Sequence, residues 1–164
     1  MLLDDALRAA EVVRSYDGPV VDVGSGGGSP GIPLAVALPE REVTLLEAER
    51  RKCDFLEQWA PPNARVVWGR AEEQEVDSYG VGLAKALARP PTALEWTLPL
   101  VRQGGVAVLW LGPSADIAVV ARVSERLGGG PPEVRDGLVV VPKLVPTPPG
   151  FPRRVGMAKK RPLA

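Results

Sequence analysis

Short apolar runs alternate along this chain with segments of helical period. Residues 2–16, LLDDALRAAEVVRSY, place Leu3, Ala6, Leu7, Ala10 and Val13 on one stripe, which predicts a helix closed by Asp17-Gly18. Residues 19–23 are short, apolar and β-branched, the mark of a buried strand. A glycine-rich stretch follows. Pro30 and Pro33 then suit the first turn of a helix that runs to Leu38, where Pro39 stops it. Residues 42–47 predict a second strand, 50–59 a helix and 64–68 a third strand. A fourth strand is expected at 81–87 and a helix at 91–101, with Pro99 marking a late kink or an early end. Residues 105–111 form the fifth strand, and 115–127 a helix closed by three glycines. EVRDGLVVV reads as a hairpin whose two-residue turn is Asp136-Gly137.

Strand and helix alternate five times before that hairpin. Such alternation predicts an α/β fold: a doubly wound, mostly parallel seven-stranded sheet with a C-terminal antiparallel hairpin, its ligands at the carboxyl ends of the strands. The 164 residues fit one domain, with an N-terminal helix in 1–18 and a basic C-terminal segment in 146–164.

Composition narrows the chemistry. Hydrophobic residues make up 45% and charged residues 24%, which suits a folded globular chain. No apolar run approaches the roughly 20 residues of a membrane span, and the N-terminus has no basic start before an apolar block. A cytoplasmic protein without membrane association is expected. The single Cys53 permits no internal disulfide, and its place on a helix suits a small packed residue. The chain has no histidine. That removes the usual general base, the Ser-His and Cys-His nucleophile pairs and nearly every zinc site, so no metal is expected.

Net charge is zero but unevenly spread. Residues 143–164 carry six cations and no acid, against 14 basic and 20 acidic residues in the rest. A basic end on an acidic body fits either an anionic partner or a solvated terminus.

The glycine loop is the candidate site. VVDVGSGGGSPGIPLA places Gly24, Gly26 and Gly28 between a strand and a helix, where a backbone without side chains admits a nucleotide. Glu47 ends the second strand, where an acid can accept from both ribose hydroxyls. Dinucleotide sites and S-adenosylmethionine (SAM) sites share this logic. The spacing here is G-x-G-x-G rather than G-x-G-x-x-G, with Asp22 in the strand before it. An acid beside the cationic end of SAM is attractive, whereas beside a pyrophosphate it would repel, so SAM is the expected cofactor. Asp22, Gly24, Ser25, Gly26, Gly28, Ser29, Glu47 and Ala48 are the candidate contacts. GRAEE, after the third strand, borders the expected adenine position, where Ala71 and Glu72 offer backbone and carboxylate, or simply start a helix. The four tryptophans are scattered and fit core or rim positions.

DVGSGGGSPGIPLA, LLEAERRKCDFL, GRAEE and PTPPGFPRRVGMAKKRPL together resemble the RsmG family, also called glucose-inhibited division protein B, from about residue 19 to the end. The resemblance implies a Rossmann-like class I methyltransferase fold and a SAM-dependent transfer to guanine N7 of 16S ribosomal RNA. It places Gly24 and Ser29 at cofactor contacts, Ala71 and Glu72 at the adenine, and Lys85 where the family has an arginine close to cofactor and substrate. Lys85 is thus the candidate positioning residue. Arg153, Arg154, Lys159 and Lys160 of the tail become candidate RNA contacts, with 16S RNA or the small ribosomal subunit as partner. Three departures stand out. Lys85 lacks the planar fork of arginine, Leu111 replaces a family lysine, and the chain reads as a short form without the family's N-terminal helical portion. The residues alone also accommodate a SAM methyltransferase acting on a small molecule or another RNA, and a SAM-binding homologue without turnover.

Overall fold

The computed structural model describes residues 2–163. β1 (Val20–Val23), β2 (Val43–Glu47), β3 (Ala64–Trp68), β4 (Tyr79–Lys85) and β5 (Val101–Trp110) run parallel. β6 (Glu133–Arg135) and β7 (Leu138–Pro142) form the hairpin, and β7 pairs antiparallel with β5. All seven make one sheet in the order β3-β2-β1-β4-β5-β7-β6, the doubly wound topology that the alternation implied. Every residue of β1 and β2 is buried, because helices cover both faces there, and such strands read as apolar runs with few polar positions, here Asp22, Thr44 and Glu47. Asp136 and Gly137 both take positive φ, 49° and 76°, the mirror-image turn whose twist matches a hairpin.

The helices are α1 (Leu2–Leu7), α2 (Ala10–Arg14), α3 (Gly31–Ala37), α4 (Arg50–Trp59), α5 (Pro90–Thr97), α6 (Ile117–Arg126) and α7 (Met157–Lys160). Val13, Leu34, Leu38 and Leu56 pack α2, α3 and α4 into one core cluster with Leu45 and Leu83 of the sheet. Leu94, Leu98, Val120, Val123 and Leu127 of the α5 and α6 region make another with Ala107 and Leu109. Among the described residues no helix is long and apolar enough to cross a membrane.

Several boundaries differ from the sequence expectation. The single helix over 2–16 is two helices, and Leu3 is exposed. The break at Arg8 lets that guanidinium donate to Asp136 O and to the Asp5 carboxylate, which anchors α1 to the hairpin turn. β4 ends at Lys85, not Leu87, and Leu87 packs instead beside Ala71 and Trp96. The helix expected to reach 101 ends at Thr97. A tight turn over Leu98–Leu100 holds Pro99 where its missing N–H costs nothing, and β5 begins at Val101. α6 starts at Ile117 because the Asp116 carboxylate accepts from Ala118 and Val119 N–H.

The basic tail folds against the body. Lys143 is 1% exposed, and its ammonium lies within hydrogen-bond distance of Leu98 O, Val101 O, Thr147 Oγ1 and Asp77 Oδ1. Burial pushes its pKa down, and the Asp77 carboxylate opposes that shift. Arg153 forks onto Glu95, a fully buried carboxylate of α5, at 2.6 Å. Thr92 Oγ1 donates to Ala158 O, and Leu163 is buried. Two of the six tail cations are therefore spent internally. Arg154, Lys159, Lys160 and Arg161 remain exposed.

Arg153→Ala leaves Glu95 as an unpaired buried charge. The expected loss is about 2–3 kcal/mol in urea unfolding, below the ~3–5 kcal/mol of a fully buried pair because Arg153 keeps some exposure. The tail should also become cleavable by protease under native conditions.

Candidate functional site

The carboxyl ends of β1, β2 and β4 open into a cleft of about 500 Å³. Gly24, Ser25, Gly26, Ser29, Glu47, Ala48, Ala71, Glu72 and Lys85 all line it. A parallel sheet brings these loops together because each strand ends at the same edge.

The glycine loop hangs between two carboxylates. Glu47, at the end of β2, accepts from Gly26 N–H at 2.9 Å through one oxygen and from Glu49 N–H at 2.8 Å through the other. Each oxygen retains a second acceptor site, and the residue lines the cleft. Asp22 lies beneath the loop, 1% exposed, where its Oδ2 accepts from Gly31 N–H at 3.0 Å. A Cβ on Gly31 would come within 2.6 Å of that oxygen, so only glycine lets the start of α3 sit so close. Asp22 does not line the cleft. The expectation that it faces a cationic ligand is corrected: its carboxylate is turned onto the α3 backbone, and burial pushes its pKa up to about 7. Gly28 is likewise absent from the lining. It turns the chain at φ 97°, where a Cβ would collide with Ile32.

The opposite end of the cleft is held from a distance. Lys85 Nζ sits 2.7 Å from Asp5 Oδ2 of α1 and 3.5 Å from Ser29 Oγ, with 17% of its side chain exposed. The Lys85 ammonium lowers the pKa of Asp5, which burial opposes. The carbonyl of Asp5 also accepts from the Trp110 indole N–H at 3.1 Å. Nothing in the sequence pointed to Asp5, because the pair is separated by 80 positions and neither residue lies in a local motif.

The remaining wall is apolar. Val23, Leu46, Ala71, Leu87 and Trp96 contribute to it, and the indole N–H of Trp96 is the one buried side-chain polar atom without a hydrogen-bond partner among the described residues. From the sequence, Trp96 is expected at a core or rim position and Leu87 at the end of the fourth strand. Glu72 lines the cleft and also accepts from Gly156 N–H at 3.0 Å, which ties the tail to this wall. A flat apolar wall, an acid with free acceptor sites and an ammonium at the far end together fit an adenosine bearing an amino-acid arm. Cys53 is buried, donates to Glu47 O, and its thiol pKa is raised by burial, so it is no nucleophile. No group of metal-ligating side chains occurs among the described residues. Arg153 stands far from its expected role as a free phosphate contact, because its guanidinium is committed to Glu95.

Comparison with known proteins agrees with this geometry. The model of the GidB family, described as rRNA small subunit methyltransferase G, matches residues 1–125. The chain is 39% identical over 186 residues to the ribosomal RNA small subunit methyltransferase G of Rubrobacter xylanophilus, spanning 99% of this chain and 69% of that protein. To the protein of the same name from Moorella thermoacetica it is 34% identical, spanning 88% and 69%. The fold is similar to a SAM-dependent O-methyltransferase from Thermotoga maritima, with a TM-score of 0.67 at 11% identity over 88% of this chain and 66% of that one. It is also similar to a T. thermophilus 16S rRNA methyltransferase solved with AdoMet and guanosine, with a TM-score of 0.63 at 18% identity over 90% and 40%.

Asp22 gives the protein a testable pH dependence. Its folded pKa of about 7 lies above the ordinary 3.8, so between those values the folded chain holds a proton that the unfolded chain has lost. Its contribution to stability is complete below pH 4 and declines as pH rises to about 7. Asp22→Asn keeps an acceptor for Gly31 N–H and removes the titration. Urea unfolding of this variant across pH 4–8 should lack that downward slope, and parallel curves for the two proteins would contradict the assignment.

Proposed function

We propose that this chain, which belongs to the rRNA small subunit methyltransferase G family, methylates N7 of a guanine in 16S ribosomal RNA. It is a SAM-dependent RNA methyltransferase, and the finer target and the residue roles are the reading argued below. The observation that carries that reading is the cleft, where Glu47, Trp96 and Lys85 offer an acid, an indole wall and an ammonium in succession.

The free acceptor sites of Glu47 suit the ribose hydroxyls, and Ala71 with Glu72 meets the adenine edge. Gly24, Ser25, Gly26 and Ala48 let the ligand approach the backbone closely, while Ser29 and Lys85 stand at its amino-acid end. When bound, SAM supplies a methyl group on a cationic sulfur, which a free lone pair can take directly. Guanine N7 has such a lone pair in the plane of its ring and no proton to lose. The reaction therefore asks no side chain to act as a base, in keeping with a chain that has no histidine. What the protein contributes is alignment of acceptor and donor and exclusion of water. Lys85, held by Asp5, keeps an ammonium at the boundary between the two.

The base must be unpaired or splayed to reach the cleft, since the deep major groove of A-form RNA hides N7. Arg154, Lys159 and Lys160, with Arg161 beside them, are the exposed cations of the tail and suit the RNA backbone. Arg153 serves this surface indirectly, by fastening the tail to α5.

Tritium transfer from SAM to undermethylated 16S RNA or small-subunit particles tests the reading. Label should appear in the RNA at a site that reduction and aniline cleave, as N7-methylated guanine requires; label confined to a metabolite, or none at all, would overturn it. Replacing Arg154, Lys159 and Lys160 by alanine should flatten the log-log salt dependence of RNA binding by about two to three units and leave SAM affinity unchanged.

A further inference from the structure

A second groove, of about 730 Å³, opens beside the cofactor cleft and meets it at Ala86, which lines both. It is built from the chain after β4, the end of β5 and the start of α6, with Arg89, Pro91, Trp110, Gly112 and Val119 among its walls. We infer that this groove seats the acceptor nucleotide of the RNA, its base against Pro91 and Trp110 and its phosphate toward Arg89. This rests on the reading of the cleft given above and specifies where its second substrate binds.

Geometry carries the inference in three ways. Transfer requires acceptor and methyl within about 3–3.5 Å, so the acceptor site must open into the cleft, and at the end away from the adenine wall. Ala86 follows Lys85 directly, at that end, and its small side chain leaves the passage open. Asp5 fixes both sides of the junction, since its carboxylate holds Lys85 of the cleft and its carbonyl holds Trp110 of the groove.

The lining chemistry suits a nucleotide. Proline and indole faces are flat and apolar, as a base ring needs, and Arg89 is exposed at the rim. Pro162 also lines the groove and follows Lys159, Lys160 and Arg161, so the exposed tail cations lead directly to it. The one acid in the lining, Asp116, is engaged by the N–H groups of Ala118 and Val119. A smaller groove of about 410 Å³ also abuts the cleft, between Gly26 and Phe55. Its lining includes Glu49, Arg51 and Lys52, and it meets the cleft at Gly26 and Gly27 on the ribose side, so its position rather than its charge sets it apart from the acceptor.

Gly112 provides the test. It is exposed, has no positive φ, and a Cβ there would meet nothing within 4 Å, so a large side chain can be added without disturbing the fold. Gly112→Trp should fill the groove. Calorimetry should then give a SAM dissociation constant within about twofold of the wild type, while kcat/KM for tritium transfer to undermethylated 16S RNA falls at least about tenfold. Arg89→Ala should raise KM for the RNA and leave SAM affinity unchanged. Wild-type kcat/KM in Gly112→Trp, or a matching loss of SAM binding, overturns the acceptor groove while leaving the methyltransferase reading intact. Absence of transfer by the wild-type protein removes that reading itself.

Discussion

The glycine loop between β1 and α3 is suspended by two carboxylates, and the rest of the site depends on that suspension. Asp22 takes Gly31 N–H from beneath and fixes where α3 begins. Glu47 takes Gly26 N–H and Glu49 N–H and so ties the loops after β1 and β2 to each other. A loop without side chains has little packing of its own to define its path. Hydrogen bonds from its backbone to buried acids define it instead, and the cleft takes its shape from that path.

The same device recurs at the chain ends. α1 reaches the cleft through Asp5 and Lys85 and reaches the hairpin through Arg8 and Asp136. The tail is pinned by Lys143 on Asp77, Arg153 on Glu95 and Gly156 on Glu72. The contacts of Lys143 and of Glu95 satisfy buried charges that would otherwise be expensive to desolvate. The two ends therefore join the site rather than flank it: one sets the position of the ammonium, and the other touches the cleft wall at Glu72. The contact of Gly156 on Glu72 also gives the basic tail a direct physical link to the cleft.

Much of the fold was legible because its signals are local. The largely apolar runs of β1, β2 and the second half of β5, the Asp136-Gly137 turn and the alternation of elements all appear within windows of a few residues. Boundaries were less legible. Leu87 is as apolar as a strand residue, but the chain leaves β4 at Ala86, whose φ of 50° is not extended, and Leu87 packs against the cluster that includes Ala71. The stripe over 2–16 is continuous in sequence, yet Arg8 breaks it for partners in the hairpin turn more than 100 positions away. In the site, Gly24, Gly26, Ser29, Glu47, Ala71 and Glu72 could be named from motif positions and Lys85 from the family resemblance, whereas Asp5, Leu87 and Trp96 could not.

By itself, the sequence determined the parallel sheet, the glycine loop at its carboxyl edge, and a chemistry that must proceed without imidazole. Those follow from backbone preferences and residue inventory, which do not depend on distant partners. The tertiary structure decided what each charge does. Asp22 and Arg153 looked like ligand contacts and are structural supports, while Asp5, which no motif singled out, holds Lys85 at the cleft. The reason is that an ionisable side chain takes its role from its desolvation and its partner, and both are set by residues tens of positions away.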